Sequence, residues 1–120
     1  MIIQKKYGVF YHLKLNHMEN VSLKNCLPLA ELKQFIVIKK QQVKIIDVRS
    51  RAEYEERHIP GAIHIELSQI EFANQLFDKK DIIVTACGKG GGRSADASER
   101  LKEFGFKNVY WLCGGTFGWE

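Results

Sequence analysis

Cys87 stands in the run Ala86-Cys87-Gly88-Lys89-Gly90-Gly91-Gly92-Arg93-Ser94. Glycines tolerate positive φ and leave the backbone uncovered, so a run of them can curl with several N–H groups turned inward. Such a nest binds anions. The positive end of a following helix, the Arg93 guanidinium and the Lys89 ammonium would favour the thiolate of Cys87 over the thiol, and the thiolate is the form that attacks. The same donors suit a charged tetrahedral substrate beside the sulfur, with Arg93 able to hold two of its oxygens at once. A cysteine that serves only packing needs neither the glycines nor the cations.

The elements that must position this loop follow from the hydrophobic pattern. Residues 81–85 form a short apolar strand leading into it, and residues 94–104 form the helix behind it, with Ala97, Leu101 and Phe104 on one face. Upstream, residues 44–48 read as a buried strand, residues 52–57 as a short charged helix stopped by Pro60-Gly61, and residues 62–65 as a further strand. Leu67, Ile70, Phe72, Ala73 and Leu76 recur at helical spacing, residues 109–112 supply another strand, and a helix carrying Leu29, Leu32, Phe35 and Ile36 starts near Pro28. This alternation predicts an α/β fold, a mostly parallel central sheet with helices on both faces. Ligands in such sheets collect at the carboxyl ends of the strands, where Cys87 falls. Residues 1–20, in which Val9, Tyr11, Leu13 and Leu15 alternate with more polar neighbours, read as an N-terminal strand or hairpin extension of a single domain spanning 1–120.

The chain has 120 residues, enough for one core, and 45% hydrophobic content places it among globular proteins. Its net charge of +4 comes from dispersed Lys and Arg, a mild bias toward anionic ligands. No interleaving of aromatic and basic residues marks a nucleic-acid partner, and no apolar run suits a signal peptide or a membrane span. Three cysteines cannot all pair within one chain, and none lies in a metal-binding spacing. The expectation is a reducing, cytoplasmic setting with Cys26 and Cys113 as packing residues and no metal.

Three segments in order carry a family resemblance. Ile46-Asp47-Val48-Arg49 with Glu53-Tyr54 and His58-Ile59-Pro60-Gly61-Ala62 resembles the first motif of rhodanese domains, residues 87–94 resemble their active-site loop, and Gly114-Gly115 followed by Trp119 resembles their closing segment. The resemblance implies a rhodanese-like three-layer fold and a sulfurtransferase. Cys87 would take the outer sulfur of thiosulfate or a persulfide donor and pass it to a thiol, a cyanide-like acceptor or a protein acceptor. No cofactor is implied. The amides of Gly88, Lys89, Gly90, Gly91, Gly92 and Arg93 would cradle the persulfide, with the Ser94 hydroxyl near the sulfur. Asp47 and Arg49 would order the surrounding loops, and His58 would hold a turn.

Two departures bear on function. Arg57 stands where the family usually has Gly, and five residues rather than the usual four separate Cys87 from Arg93. Five is the spacing of phosphatases and arsenate reductases that share the fold, which makes those activities one alternative. Against it, Ala86 replaces the His that precedes the phosphatase cysteine, and the loop offers no acidic residue as general acid. A non-enzymatic sulfur- or anion-binding module is the other alternative.

Overall fold

The computed structural model describes residues 26–119, so the extension expected over residues 1–20 lies outside the described residues. Four strands, β1 Val43–Asp47, β2 Ile63–His64, β3 Ile82–Ala86 and β4 Asn108–Trp111, form a parallel sheet in the order β2-β1-β3-β4. β1 and β3 pair along their full length, from Val43↔Ile82 to Asp47↔Ala86. All of β3 is buried, and this is why its sequence reads as a continuous apolar run instead of alternating.

Among the described residues, four helices cover the sheet: α1 Leu29–Lys39, α2 Arg51–Glu56, α3 Ala73–Leu76 and α4 Arg93–Glu103. Successive strand residues point to opposite faces. Ile45, Val84 and Ala86 therefore meet Leu32 and Phe35 of α1, together with Leu112. Ile46, Ile83 and Val109 meet Ala97 and Leu101 of α4, together with Ile70 and Ala73. The three layers expected from the sequence are the ones observed. α1 follows Pro28, whose φ of −64° is compatible with a helix entry, and α2 starts at a capping box between Ser50 and Glu53.

The stretch 67–76 differs from expectation. It is a 3-10 segment over Leu67–Phe72, broken at Gln69, that passes into α3. A repeat of three residues puts Leu67, Ile70 and Ala73 on one side. Ile70 and Ala73 are buried, whereas Phe72 and Leu76 remain about half exposed.

Cys26 and Cys113 are not separate packing residues: they form a disulfide with Cα atoms 4.7 Å apart. Leu27 lies parallel to Leu112, its amide donating to the Trp111 carbonyl at 2.7 Å while the Cys113 amide donates to the Leu27 carbonyl at 2.9 Å. That pairing brings the neighbouring cysteines together across a separation of 87 residues, which spacing alone does not reveal. A loop of that length restricts the unfolded chain by about 4–5 kcal/mol in the chain-entropy account. Cys87 stays free and buried.

α1 offers a direct test of the packing. Leu32 is fully buried and Val37 is 82% exposed on the same helix. In urea unfolding, Leu32→Ala should cost about 2–5 kcal/mol and Val37→Ala no more than about 0.5 kcal/mol.

Candidate active site

Cys87 follows the last residue of β3 and Arg93 opens α4, so the glycine run spans the carboxyl end of the sheet. Cys87 is only 5% exposed. Cys87 Sγ lies 3.0 Å from the Gly91 carbonyl oxygen and 3.3 Å from Ser94 Oγ, and the Ser94 hydroxyl donates to that same carbonyl at 3.0 Å. Thiol and hydroxyl carry one proton each, and both converge on Gly91. A carbonyl thus faces the thiol. Among the described residues, the amides of Gly88, Lys89, Gly90, Gly91, Gly92 and Arg93 donate to no protein acceptor. Thr85 Oγ1 donates to the Ser94 carbonyl at 2.7 Å and so fixes the start of α4 against the strand.

The loop is held from behind by residues 114–119. Thr116 and Phe117 donate their amides to the carbonyls of Cys87 and Gly88, at 2.7 and 3.0 Å. Gly115 permits this approach: at φ +58°, a Cβ there would lie 2.4 Å from the Cys87 carbonyl oxygen. Gly90 answers from the loop side, at φ +95°, where a Cβ would lie 2.9 Å from the Gly114 nitrogen. The closing Gly-Gly pair is therefore a seat for the Cys87 backbone. Trp119 packs against the α1 side of the core, with Lys33 Nζ 5.0 Å from its ring centre.

The charged residues are arranged in pairs. Arg93 grips Glu53 with two parallel bonds, Nη1 to Oε1 at 2.9 Å and Nη2 to Oε2 at 3.2 Å. The Glu53 carboxylate also accepts from the Ser50 amide at 3.0 Å. The Arg93 guanidinium, followed by the Ser50 amide, holds the Glu53 carboxyl down to about 2 and in return raises Arg93 above its ordinary range. Arg49 and Asp47 form a second pair, fully buried, with Nε to Oδ1 at 3.0 Å and Nη2 to Oδ2 at 2.9 Å. The hydrogen bonds to Asp47 raise Arg49 above its ordinary range. Arg49 Nη2 also donates to the Arg57 carbonyl, and its guanidinium lies 5.8 Å from the Phe117 ring. Arg57 approaches that ring to 5.7 Å.

His58 is exposed, stacked on Tyr54 with its Nδ1 2.7 Å from the Tyr54 carbonyl oxygen. Lys89 stands exposed on the loop. Glu53, Thr85, Thr116 and Phe117 have no assigned role in the sequence reading. Glu53 had a legible signal, since it lies in the first motif beside Tyr54 and three residues after a capping Ser.

Asp47→Ala would leave the Arg49 cation buried without its partner and should lower unfolding free energy by about 3–5 kcal/mol, whereas Asp47→Leu combined with Arg49→Met should cost much less. Denaturant titration of both separates a charge penalty from a packing loss. For Glu53, a depressed carboxyl contributes stability that is whole above its ordinary value of 4.5 and is lost as pH falls through about 2. Both partners are some 40% exposed, so the contribution is under about 1 kcal/mol. The difference in stability between wild type and Glu53→Gln should be flat above pH 4.5 and shrink toward pH 2.

The family model described as the rhodanese-like domain matches residues 29–120. The thiosulfate sulfurtransferase GlpE of Coxiella burnetii is 33% identical over 92 residues, 77% of this chain and 85% of that one. Among solved structures, the human single-domain sulfurtransferase TSTD1 superposes with a TM-score of 0.67 at 25% identity, covering 78% of this chain and 93% of its own. A rhodanese-like domain protein from Staphylococcus aureus gives 0.65 at 32% identity, covering 78% and 88%. The Cys87 loop, the Asp47-to-Ala62 segment and the closing glycines fall within the matched span, and the chain belongs to the rhodanese-like domain family.

Proposed function

We propose that the protein is a sulfurtransferase in which Cys87 carries sulfur as a persulfide. The observation that carries this reading is a buried thiol at the end of β3 within a loop whose six amides have no acceptor among the described residues. The thiol proton leaves to solvent, and the Cys87 thiolate attacks the outer sulfur of thiosulfate. The donor's S–S bond breaks, sulfite departs with the electron pair, and the anionic outer sulfur is left on Cys87. Loop amides stabilise that sulfur, and the Ser94 hydroxyl turns from the Gly91 carbonyl to donate to it. An acceptor thiolate or cyanide then attacks the outer sulfur and restores the Cys87 thiolate. Curated relatives named as thiosulfate sulfurtransferases support the donor class.

The Cys87-x5-Arg93 spacing favours oxyanion chemistry as a second reading. Against it, Arg93 is already engaged by Glu53, and a carbonyl faces the sulfur where an oxyanion would need donors. A singly charged persulfide makes a smaller demand on the loop than a phosphate or arsenate does. Among the described residues no helix is long and apolar enough to cross a membrane. A cytoplasmic setting is part of the proposal, and it requires the Cys26–Cys113 bond to be one that opens and closes, as the disulfides of reducing compartments do.

Thiosulfate and cyanide should yield thiocyanate with wild type, and Cys87→Ser should lower the rate by at least about a hundredfold. Donor-treated wild type should gain one sulfur atom on Cys87 by mass spectrometry. Release of phosphate from an aryl phosphate without thiocyanate would overturn the reading. Absence of both activities, with no added sulfur, would leave a binding module.

A further inference from the structure

The Cys26–Cys113 disulfide lies outside the proposed chemistry, yet its second cysteine directly precedes the segment that seats the nucleophile's backbone. Residues 114–118 are tied by backbone hydrogen bonds among themselves, to the Leu112 carbonyl and to the Cys87 loop. Gly114 and Gly115 have φ of +75° and +58°, so their backbone has more accessible shapes than other residues would allow. At their N-terminal side the chain is held by the Leu27–Leu112 bridge and the disulfide. At the other end, Thr116 and Phe117 grip the Cys87 and Gly88 carbonyls, and Gly90 sits against Gly114 with no room for one added carbon. A shift of residues 113–115 is therefore transmitted to the loop, because packed contacts of this closeness do not absorb movement. Both paired cysteines are half-buried, within reach of a small thiol, whereas Cys87 is buried.

We propose that the Cys26–Cys113 disulfide is a redox site that controls sulfur transfer: formed, it holds residues 114–118 behind the Cys87 loop, and reduced, it lets that seat loosen. The reductant class is a dithiol. One of its thiolates attacks a sulfur of the disulfide to form a mixed disulfide, and its second thiol displaces the remaining cysteine. Two electrons and two protons pass to Cys26 and Cys113, and the dithiol leaves oxidised. The effect on activity rests on the sulfurtransferase reading; the effect on the loop does not.

The test compares air-oxidised wild type, wild type reduced with dithiothreitol and desalted under argon, and Cys26→Ala/Cys113→Ala treated both ways. Initial thiocyanate rates are taken where circular dichroism shows each form folded, and amide exchange over residues 88–93 is followed by mass spectrometry. The double variant keeps Cys87 alone and so reports any action of the reductant on the nucleophile. Reduction of wild type should lower kcat on the order of tenfold, since misplacing a reacting group by a fraction of an ångström costs that much. Reoxidation should restore it, the double variant should stay at the low rate under both treatments, and the loop amides should exchange faster in every form lacking the bond. Equal rates and equal exchange in oxidised and reduced wild type overturn the proposal, as do three titratable thiols in the air-oxidised protein. Thiocyanate from no form removes the sulfurtransferase reading, and the exchange difference then decides this one alone: present, it stands; absent, it falls. Should the double variant fail to fold, the oxidised and reduced wild-type pair carries the same comparison.

Discussion

A guanidinium and a carboxylate buried together at the end of β1 constrain everything around the candidate site. Arg49 and Asp47 are withdrawn from water, where a charge is tolerable only if its hydrogen-bonding capacity is used. Asp47 spends its oxygens on the Arg49 side chain and amide. Arg49 turns its remaining capacity to the Arg57 carbonyl at the end of α2 and to the face of Phe117, while its own carbonyl meets His64 Nε2 at 2.7 Å. One pair thus fixes the end of β1, the exit from α2, the end of β2 and the segment behind the Cys87 loop. An arrangement that separated these parts would leave buried N–H and carbonyl groups of Arg49 without partners.

The same economy shapes the electrostatics of the site. Residue types suggest a strongly cationic cradle, yet both arginines of the two motifs are matched by carboxylates, one pair buried and one at the surface. What remains beside the sulfur is a set of backbone dipoles. Such dipoles suit a small charge that sits close. Glu53 joins the two halves of this arrangement, since the carboxylate that caps α2 also holds the first residue of α4.

Legibility in the sequence followed distance along the chain. The strands and the Cys87 loop depend on neighbours a few residues away, and the apolar run of β3 and the glycine run carry them openly. The Glu53–Arg93 pair, the Gly115 contact with Cys87 and the Cys26–Cys113 bond join residues far apart, so only the assembled sheet creates them. The direction of the Gly91 carbonyl was hidden for another reason. Consecutive glycines allow many backbone paths, and the one adopted is selected by Ser94 and by the segment behind the loop. The stretch 67–76 misleads because apolar residues three apart satisfy a 3-10 turn as well as an α-helix.

The seat formed by residues 114–118 has a consequence for the order in which the molecule is made. β1, β3 and the loop leave the ribosome before the residues that grip the Cys87 and Gly88 carbonyls have been synthesised. The nascent domain can therefore assemble its hydrophobic layers around the first three strands while the Cys87 backbone still lacks these partners. The contacts that hold Cys87 from behind are completed by nearly the last described residues, so a partly made chain carries the thiol before the segment that seats it.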